Sequence, residues 1–410
     1  MKKNIKKICI ITILIIIYSY ALSIINIPDN IVILEGETIK INTLLGFKVN
    51  LNNNEESVET SSANNNKLET PGKTSVKVSL FDNILVKNVD VDVLPKTKVI
   101  PVGSIAGLKL YTNGVLVVGM SEIEGQDSKK YKPYENTGIQ EGDTIIEINE
   151  NKVESTEDLI KKVNNSRGQN LAVKYIHDND TKECSITPVK TSANEYKLGL
   201  WVRDSAAGVG TVTFYDPQTK SFGALGHGIT DIDTEELINI ESGEFITTKI
   251  LNITKGEKGT PGRIQGTVDN QRNIGTISKN TKFGIYGKVD NLSSLNIDSS
   301  KEMEVALREE IQTGKATIMC SLENGKVENY EVEIEKIYKE NNYDNKSMLI
   351  KVTDQRLLDK TGGIIQGMSG SPVIQNGKFI GAVTHVLVNN PQEGYAVFGD
   401  LMIKQMKSVQ

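Results

Sequence analysis

The sequence has few of the residues that hold disulfide-rich or metal-dependent domains together. It contains three cysteines and three histidines, and no HExxH motif or Cys/His cluster has the spacing of a metal site. Cys9 lies in an apolar N-terminal run, while Cys184 and Cys320 are far apart and expected in different domains, where we interpret them as small buried residues. The sequence therefore predicts neither a disulfide framework nor a metal or other cofactor.

Strong charge of one sign and aromatic residues are also scarce. The net charge is −5 and the pI is about 5.6, which gives no electrostatic reason to expect nucleic acid as a partner. Aromatic residues make up 5% of the chain, whereas glycine occurs 35 times among many Val, Ile and Thr runs. This composition predicts a mainly β protein with tight turns, and 410 residues predict two or three domains.

The N-terminus differs from the rest of the chain. Four lysines at positions 2, 3, 6 and 7 precede an apolar run at residues 8–27, which is long enough for a helix to cross a bilayer. The lysines are expected to stay in the cytoplasm, so the remainder would lie outside that membrane. A cleaved signal peptide is the alternative, but the apolar run continues past the small residues Ala21 and Ser23. We predict a transmembrane signal-anchor at residues 1–28.

Residues 29–98 predict a small β module. Strand-like runs occur at residues 31–41, 76–80 and 89–94, separated by a stretch at 50–75 that is rich in Asn, Ser, Glu and Lys. We interpret the polar stretch as a loop.

Residues 99–190 contain the elements of a second domain. A Gly-Ile-Gln-Glu-Gly-Asp turn at 138–143 precedes a strand, and Ser155 opens a helix with Asp158 three residues later, which is close to a capping box. This segment resembles a PDZ domain, an α+β fold to which an extended peptide adds as a strand. The resemblance implies that the peptide's terminal carboxylate is held by Gly107, Leu108, Lys109 and Leu110.

Residues 191–410 are rich in short strands with glycine turns, which predicts a β-barrel or a pair of barrels. A hairpin is expected at 211–225, and propensity weakly favours a helix at 302–311. The other strand candidates are residues 247–253, 263–268, 282–289, 316–321, 330–337 and 347–352.

A possible nucleophile lies in Gly-Met-Ser-Gly-Ser-Pro at residues 367–372. A nucleophilic serine needs an exposed hydroxyl on a tight turn, with backbone amides free to bind an oxyanion. Ser369 would attack, and the amides of Gly367 and Ser369 would form the oxyanion hole. Ser371 is a rival nucleophile by proximity, and an ordinary Gly/Ser/Pro loop between strands is the structural alternative.

Only three histidines can serve as the base. His177 stands beside acidic residues at an expected exposed turn, and His385 lies within a strand at 382–387, where packing is the usual reason for a histidine. His227 follows a strand and has glycine on both sides, which suits a general base better.

A carboxylate should hold the tautomer of the base. Asp354 ends the strand at 347–352 and is our choice, whereas two of the rivals are too close to His227 in sequence and the third lies in a polar turn. The four candidates are Asp231, Asp233, Asp354 and Asp359. The predicted order His227, Asp354, Ser369 is that of chymotrypsin-like peptidases, whose Gly-Asp-Ser-Gly-Gly-Pro turn resembles residues 367–372.

The chain as a whole resembles the SpoIVB peptidase family of endospore-forming bacteria. The resemblance rests on the anchor, the PDZ segment, Gly-Ala-Leu-Gly-His-Gly-Ile at 223–229 and Thr-Gly-Gly-Ile-Ile-Gln-Gly-Met-Ser-Gly-Ser-Pro at 361–372. It implies a triad of His227, Asp354 and Ser369 on a chymotrypsin-like double β-barrel. It also implies self-cleavage near the N-terminus and release from the forespore membrane into the space between the two spore membranes.

The resemblance further implies a protein substrate, a membrane-bound regulator whose cleavage lets an intramembrane protease activate a mother-cell sigma factor. The chain itself would be a second substrate, with residues 50–75 as an exposed place for self-cleavage. His385 would lie near the wall of the substrate pocket. The alternatives are a catalytically silent PDZ scaffold, which the intact His, Asp and Ser disfavour, and an HtrA-like quality-control protease, in which the PDZ domain follows the protease.

Overall fold

A computed structural model describes residues 2–39, 41, 46–51, 67–68, 72–81, 84–94, 96–178, 180–295, 297–339 and 344–407. The chain forms two compact units, Met1–Thr97 and Lys98–Gln410. Strands dominate both units, as the composition predicts. Most of the predicted polar loop at 50–75 lies outside the described residues.

The first unit is a helix followed by a small sheet with the strand order β1-β6-β5-β3. Strand β1 runs parallel to β6, and the other pairs are antiparallel. Alternate valines of β5 and β6 are buried and form its core. The elements are α1 (Lys2–Ile25), β1 (Asn30–Leu34), β2 (Glu37–Thr38), β3 (Phe47–Leu51), β4 (Lys67–Leu68), β5 (Gly72–Leu80) and β6 (Ile84–Leu94).

Helix α1 covers the segment for which we predict a membrane anchor. Among the described residues, no helix combines the length and the apolar character needed to cross a membrane. The structure therefore does not support the predicted transmembrane helix.

The second unit begins with strands that flank and include the PDZ segment. Its first elements are β7 (Lys98–Pro101), β8 (Ile105–Met120), β9 (Ile123–Glu124), β10 (Lys130–Tyr131), β11 (Thr144–Ile148), β12 (Asn151–Lys152), α2 (Thr156–Asn165), β13 (Leu171–His177), β14 (Asp180–Ile186), β15 (Val189–Lys190), β16 (Tyr196–Lys197), β17 (Leu200–Asp216) and β18 (Ser221–Ala224).

The remainder of the second unit is again mostly strand. Its elements are β19 (Ile240–Thr254), β20 (Arg263–Thr281), β21 (Gly284–Val289), β22 (Met303–Glu304), β23 (Gly314–Glu323), β24 (Lys326–Ile337), β25 (Met348–Val352), α3 (Gln355–Thr361), β26 (Pro372–Gln375), β27 (Lys378–Leu387), β28 (Asn390–Phe398) and α4 (Gly399–Lys407). Two short 3₁₀ turns, Leu292–Leu295 and Ser299–Lys301, precede β22.

Two six-stranded barrels form the body of this unit. In the first barrel the pairings run β8-β19-β20-β21-β18-β17 and return from β17 to β8. The second barrel is closed in the order β23-β24-β25-β28-β27-β26. The edge-to-face pair of Phe214 and Phe379, with ring centroids 5.5 Å apart, packs one barrel against the other. The double β-barrel that the family resemblance implies is therefore present.

The PDZ fold is inserted between two strands of the first barrel. Its sheet continues from the second half of β8 through β11, β13 and β14, and α2 packs on it. Ser155 caps α2 as predicted, since its hydroxyl accepts a hydrogen bond from the Asp158 amide at 3.2 Å. The first half of β8 pairs with β17 and β19 of the barrel, whereas we expected residues from 99 onward to belong to the PDZ domain.

The predicted hairpin is confirmed, because β17 pairs with β18 from Val212 to Asp216. The predicted helix at 302–311 is wrong. Its first residues form β22, and the Ala306 amide then donates to the Phe379 carbonyl at 2.9 Å. Pairing with a neighbouring strand satisfies this backbone, so the local helix propensity is overridden.

Candidate active site at the junction of the two barrels

The loop that carries Ser369 is fixed between the two barrels. The Thr211 amide of β17 donates to the Ser369 carbonyl at 3.0 Å, and the Thr211 hydroxyl donates to the Gly367 carbonyl at 2.8 Å. On the other side, the Gly370 amide donates to the Val383 carbonyl of β27 at 2.7 Å. Gly370 has a φ of +95°, and a Cβ there would lie 2.2 Å from the Thr211 carbonyl oxygen. Only glycine therefore fits this close approach.

The amides predicted for the oxyanion hole are available. Among the hydrogen bonds of the described residues, neither the Gly367 amide nor the Ser369 amide has a partner. Gly367 has a φ of +99°, which keeps the turn tight. The Ser369 hydroxyl donates to the Thr384 carbonyl at 2.7 Å, so in this conformation it does not point to a base. The loop thus offers two free donors beside a serine whose hydroxyl makes one hydrogen bond, to the Thr384 carbonyl.

Ser371 does not have the access that a nucleophile needs. Its side chain is fully buried, and its hydroxyl has no hydrogen-bond partner within the described part of the chain. Ser369, in contrast, lines an open cleft. The geometry therefore favours Ser369 over its rival.

His227 lies in the turn that follows β18. The turn is anchored by the Leu225 amide, which donates to the Thr211 carbonyl at 3.2 Å. At Gly226 an added Cβ would lie 3.1 Å from the side chains of Thr384 and Val397 in the second barrel. The His227 Nδ1 atom is 2.7 Å from the Gly228 carbonyl oxygen. Because a carbonyl can only accept, Nδ1 carries the proton and Nε2 keeps a free lone pair. Burial lowers the pKa of His227, although the Gly228 bond opposes this effect.

His227 and Ser369 line the same cleft, which has a volume of about 240 Å³. Its walls come from both barrels and include Gly367, whose amide has no hydrogen-bond acceptor among the residues that the structure describes. The lining residues are Leu108, Ala206, Ala207, Gly208, Val209, Leu225, His227, Ile229, Gln366, Gly367 and Ser369. The structure therefore brings the predicted nucleophile, base and oxyanion-hole glycine together.

Asp354 does not join them. It is the N-cap of α3, and its carboxylate accepts bonds from the Arg356 amide at 2.9 Å, the Arg356 guanidinium at 2.8 Å and the Glu331 amide at 3.2 Å. The hydrogen bonds to Arg356 and to the backbone lower the pKa of Asp354 to about 2. The structure shows no bond between Asp354 and His227, and the assignment of Asp354 as the orienting carboxylate stays a prediction. A residue that closes a strand can equally begin the next helix, and here it does.

The other candidate carboxylates are also engaged elsewhere. Asp231 is buried and pairs with Arg203, and Asp233 accepts from the same guanidinium at 2.8 Å. Asp359 accepts from the Gln355 amide nitrogen at 2.8 Å. Among the described residues, none of these carboxylates contacts His227.

The two remaining histidines have different surroundings. His177 is partly buried in the PDZ domain, with its Nδ1 atom 2.6 Å from Asp143, and is not the exposed turn residue that we expected. His385 lies in β27 directly beside the candidate base, since the ring centroids of His227 and His385 are 4.9 Å apart. From the sequence alone we interpret His385 as a packed strand residue. Its contact with His227 could not be predicted, because it depends on the packing of segments that are far apart in sequence.

A second groove, about 660 Å³ in volume, lies in the PDZ domain. Helix α2 contributes Leu159, Ile160 and Val163, and the segment from Leu198 to Val202 forms the opposite wall. Within the described part of the chain, the start of β17 pairs only with β8, as in Trp201 with Gly119. A strand edge beside a helix is the arrangement to which an extended peptide can add.

The predicted peptide-binding loop is not at this groove. Gly107, Leu108, Lys109 and Leu110 lie within β8, paired with β17 on one edge and with β19 on the other. Both leucines are buried, and Leu108 lines the cleft of Ser369. Their amides are therefore not at the groove, whose wall on this side consists of Leu198, Gly199, Leu200 and Trp201. The Leu-Gly-Leu-Trp sequence there is a signal that sequence reading missed.

No group of His, Cys, Asp and Glu among the described residues is placed to hold a metal ion.

The fold and the cleft are those of a two-barrel peptidase with a PDZ insertion, and the comparison with protein families agrees. The chain belongs to the SpoIVB peptidase S55 family, whose model matches residues 194–403, more than half of the chain. The model of a PDZ domain matches residues 108–187.

Similarity to curated proteins is partial. The "Putative zinc metalloprotease SAR1238" of Staphylococcus aureus (strain MRSA252) is 32% identical over 101 residues, which are 21% of this chain and 23% of the relative. The "Putative zinc metalloprotease SA1105" of strain N315 is 31% identical over the same length and covers the same shares. The chain thus spans about a quarter of the length of the curated relatives that it matches.

Similarity to solved structures is low. The PDZ domain of an SdrC-like protein from Listeria monocytogenes is 20% identical, covers 22% of this chain and 87% of its own, and has a TM-score of 0.18. The HtrA-type protease AlgW with decapeptide is 11% identical, and the match covers 50% of this chain and 54% of that one with a TM-score of 0.29. The Rv3671c protease from M. tuberculosis in its active form is 12% identical, and the match covers 50% of this chain and 74% of that one with a TM-score of 0.28. The fold described above therefore rests on strand pairing and not on these neighbours.

Proposed function

We propose that this chain is a serine endopeptidase in which Ser369 is the nucleophile and His227 the general base. The observation that carries the proposal is the shared cleft, where Ser369, His227 and two unpaired amides meet. The bond from His227 Nδ1 to Gly228 supports the role of the base, because it leaves Nε2 unprotonated.

The reaction proceeds by acyl transfer in two steps. The Ser369 hydroxyl first turns away from the Thr384 carbonyl, which costs about the worth of one hydrogen bond, ~1 kcal/mol. His227 Nε2 takes the hydroxyl proton as Oγ attacks the peptide carbonyl, and the amides of Gly367 and Ser369 stabilise the oxyanion. His227 then gives the proton to the leaving amine. Water repeats the sequence on the acyl-enzyme and restores Ser369.

The substrates that we propose are the chain itself and a membrane-bound regulator of an intramembrane protease, in a pathway that activates a sigma factor in the mother cell during sporulation. Membership of the SpoIVB peptidase S55 family supports this role. The PDZ groove supports protein substrates, since its open strand edge suits an extended peptide.

We also propose that the catalytic part works outside the cytoplasm, tethered at first by the N-terminal segment to the forespore membrane. The basic residues before the apolar run support this orientation. Helix α1 exposes Ile10, Leu14 and Ile17 by more than half of their surface, which is costly in water. Self-cleavage would release the protein into the space between the spore membranes.

N-terminal sequencing and gel analysis of the wild type, Ser369→Ala and the matched control Ser371→Ala test the proposal. We expect the wild type and Ser371→Ala to trim themselves and Ser369→Ala to stay intact until wild-type protein is added. Trimming by Ser369→Ala alone would refute Ser369 as nucleophile. If none of the three cuts itself or a candidate regulator, the scaffold interpretation replaces this one. Broad digestion of unfolded casein would instead indicate a quality-control protease.

A further inference from the structure

One edge of β17 is open between the cleft of Ser369 and the PDZ groove. From Leu200 to Thr211 the strand pairs with β8 along its other edge. Strand β18 covers the first edge only from Val212 onward, because the chain turns away at Leu225. Among the backbone hydrogen bonds of the described residues, those made by residues 200–210 all go to β8. We call this uncovered side of residues 200–210 the open edge.

The two ends of the open edge lie at the two candidate binding sites. Trp201 and Val202 line the PDZ groove beside α2, and Ala207 and Gly208 line the cleft of Ser369. Ala207 and Gly208 are exposed, and a Cβ added at Gly208 would meet no described atom within 4 Å beyond its own chain neighbours. The small side chains therefore leave room for a polypeptide beside the backbone of β17.

Side chains hold the segment of β17 between the two sites. The Arg203 guanidinium pairs with Asp231 and Asp233 from the loop that follows the candidate base. The Asp204 carboxylate accepts the Thr156 amide of α2 at 2.8 Å. These contacts fix the strand between the barrel and α2 without using its backbone groups. The open edge thus keeps the donors and acceptors that pair with a further strand.

The free amides at the start of β17 indicate the direction of a bound chain. Among the hydrogen bonds of the described residues, the amides of Leu198 and Gly199 have no acceptor. Two free amides beside a groove suit a terminal carboxylate. Antiparallel pairing is the more stable arrangement, and a chain that ends at Gly199 and pairs in this way with β17 comes from the cleft.

We propose that a protein substrate binds as one added strand along the open edge, with the residues that follow the scissile bond antiparallel to β17 and ending in the PDZ groove. The inference rests on the proposed function of Ser369 and His227, since it places the cut at their cleft. Val209 and Leu200 are nine positions apart. A strand rises about 3.3 Å per residue on either side of a pair, so about ten residues after the cut span the open edge.

Steady-state kinetics of the full chain on three fluorogenic peptides test the direction. One peptide carries only the self-cleavage site that N-terminal sequencing identifies, and the others extend it by about ten natural residues, after the cut or before it. We expect the extension after the cut to lower KM about tenfold, because one chain then engages two sites. The extension before the cut should leave KM nearly unchanged. Equal gains from both extensions, or a gain from neither, would overturn the inference.

A proline scan of the extension distinguishes an added strand from a flexible tether. Only alternate residues of a paired strand turn their N–H groups towards its neighbour, and proline lacks this donor. Proline should therefore raise KM about fivefold at every second position, the effect of one lost hydrogen bond, and change it little at the positions between. A KM that is insensitive to proline, or equally sensitive at every position, would show that the open edge is not used.

Two variants of α2 test the part of the groove. Ile160 is exposed and lines the groove, so Ile160→Glu should abolish the gain in KM from the extension after the cut. Lys161→Gln is the matched control, because Lys161 is exposed on the same helix outside the groove and the charge changes by the same amount. The control should keep the gain. Loss of the gain in both variants, or in neither, would count against the groove as the end of the bound strand.

Ser369→Ala separates this inference from the proposed function. Its affinity for the extended peptides is measured by fluorescence anisotropy, and its cleavage of them by chromatography. If Ser369→Ala binds with the alternating response to proline but still cleaves, the proposed function fails and the added strand stands. If it does not cleave and binds the two extended peptides equally well, only the present inference fails.

Discussion

Replacing Asp354 by asparagine removes a charge that the fold depends on and leaves the cleft intact. The carboxylate is buried and accepts from Arg356 and from the Glu331 amide. Asparagine keeps one oxygen that can cap α3. Its NH₂ group takes the place of the second oxygen and, being a donor, cannot accept the hydrogen bonds from the Arg356 guanidinium and the Glu331 amide. We therefore expect Asp354→Asn to destabilise the second unit.

The size of the effect follows from the pKa of Asp354. A fall from the ordinary 3.8 to about 2 means that the ionised carboxylate stabilises the fold by about 2 kcal/mol at neutral pH. Because the folded pKa is the lower one, this stability is complete above pH 5 and is lost as the pH falls towards 2. About half of it should already be gone near pH 3.

Differential scanning calorimetry of the wild type and Asp354→Asn from pH 7 to pH 3 measures this difference. We expect the thermal unfolding midpoint of the variant to be about 4 °C below that of the wild type at pH 7. The difference between the two midpoints should become smaller in acid. Asp359→Asn is the matched control, since Asp359 accepts a single bond on the exposed face of the same helix. A gap that is constant with pH, or equal to that of the control, would refute the reasoning.

The remaining predictions concern the loop and the groove. Gly370→Ala should reduce both cleavage and the unfolding midpoint, because its Cβ would lie 2.2 Å from the Thr211 carbonyl oxygen. Thr211→Val loses only the hydroxyl bond to the Gly367 carbonyl, so kcat should fall by an amount that corresponds to ~1 kcal/mol with little change in midpoint. Trp201→Ala removes an exposed ring from the PDZ groove, and we expect a higher KM for substrates that bind the groove and an unchanged kcat on a short peptide.

Local signals predict much of this protein. The hairpin at β17 and β18, the cap at Ser155 and the strands of the second barrel follow from alternation, turn residues and capping chemistry. Ser369 and Gly367 are recognisable because a glycine-flanked serine turn is itself a local motif. His227 is found in the same way, through its glycine neighbours.

The predictions that the structure does not reproduce concern residues whose roles depend on distant partners. Asp354 ends a strand as predicted, but the structure shows it bound to Arg356 two positions later as a helix cap and not to His227. The stretch around Leu108 looks like a PDZ loop until β19, more than a hundred residues later, covers its second edge. Sequence separation hides such pairings, whereas the helical pattern after Asp354 is a signal that could have been used.

The insertion of the PDZ fold also changes what counts as the peptidase domain. Strand β8 supplies Ala106, Leu108 and Leu110 to the core of the first barrel and closes the ring between β17 and β19. A fragment of residues 191–410 lacks this strand. The loss of two buried leucines alone costs about 5 kcal/mol or more, which is comparable to the whole stability of a domain.

We therefore expect the 191–410 fragment to be unfolded or aggregated and the 98–410 fragment to be soluble and cooperative in thermal unfolding. Circular dichroism and size-exclusion chromatography of the two fragments measure this difference. A folded 191–410 fragment with normal cleavage of a short peptide would show that β8 is dispensable. The first barrel would then close through another strand pairing. The fact that β8 and β17 run from the PDZ groove to the cleft would not matter for holding the loop that carries Ser369.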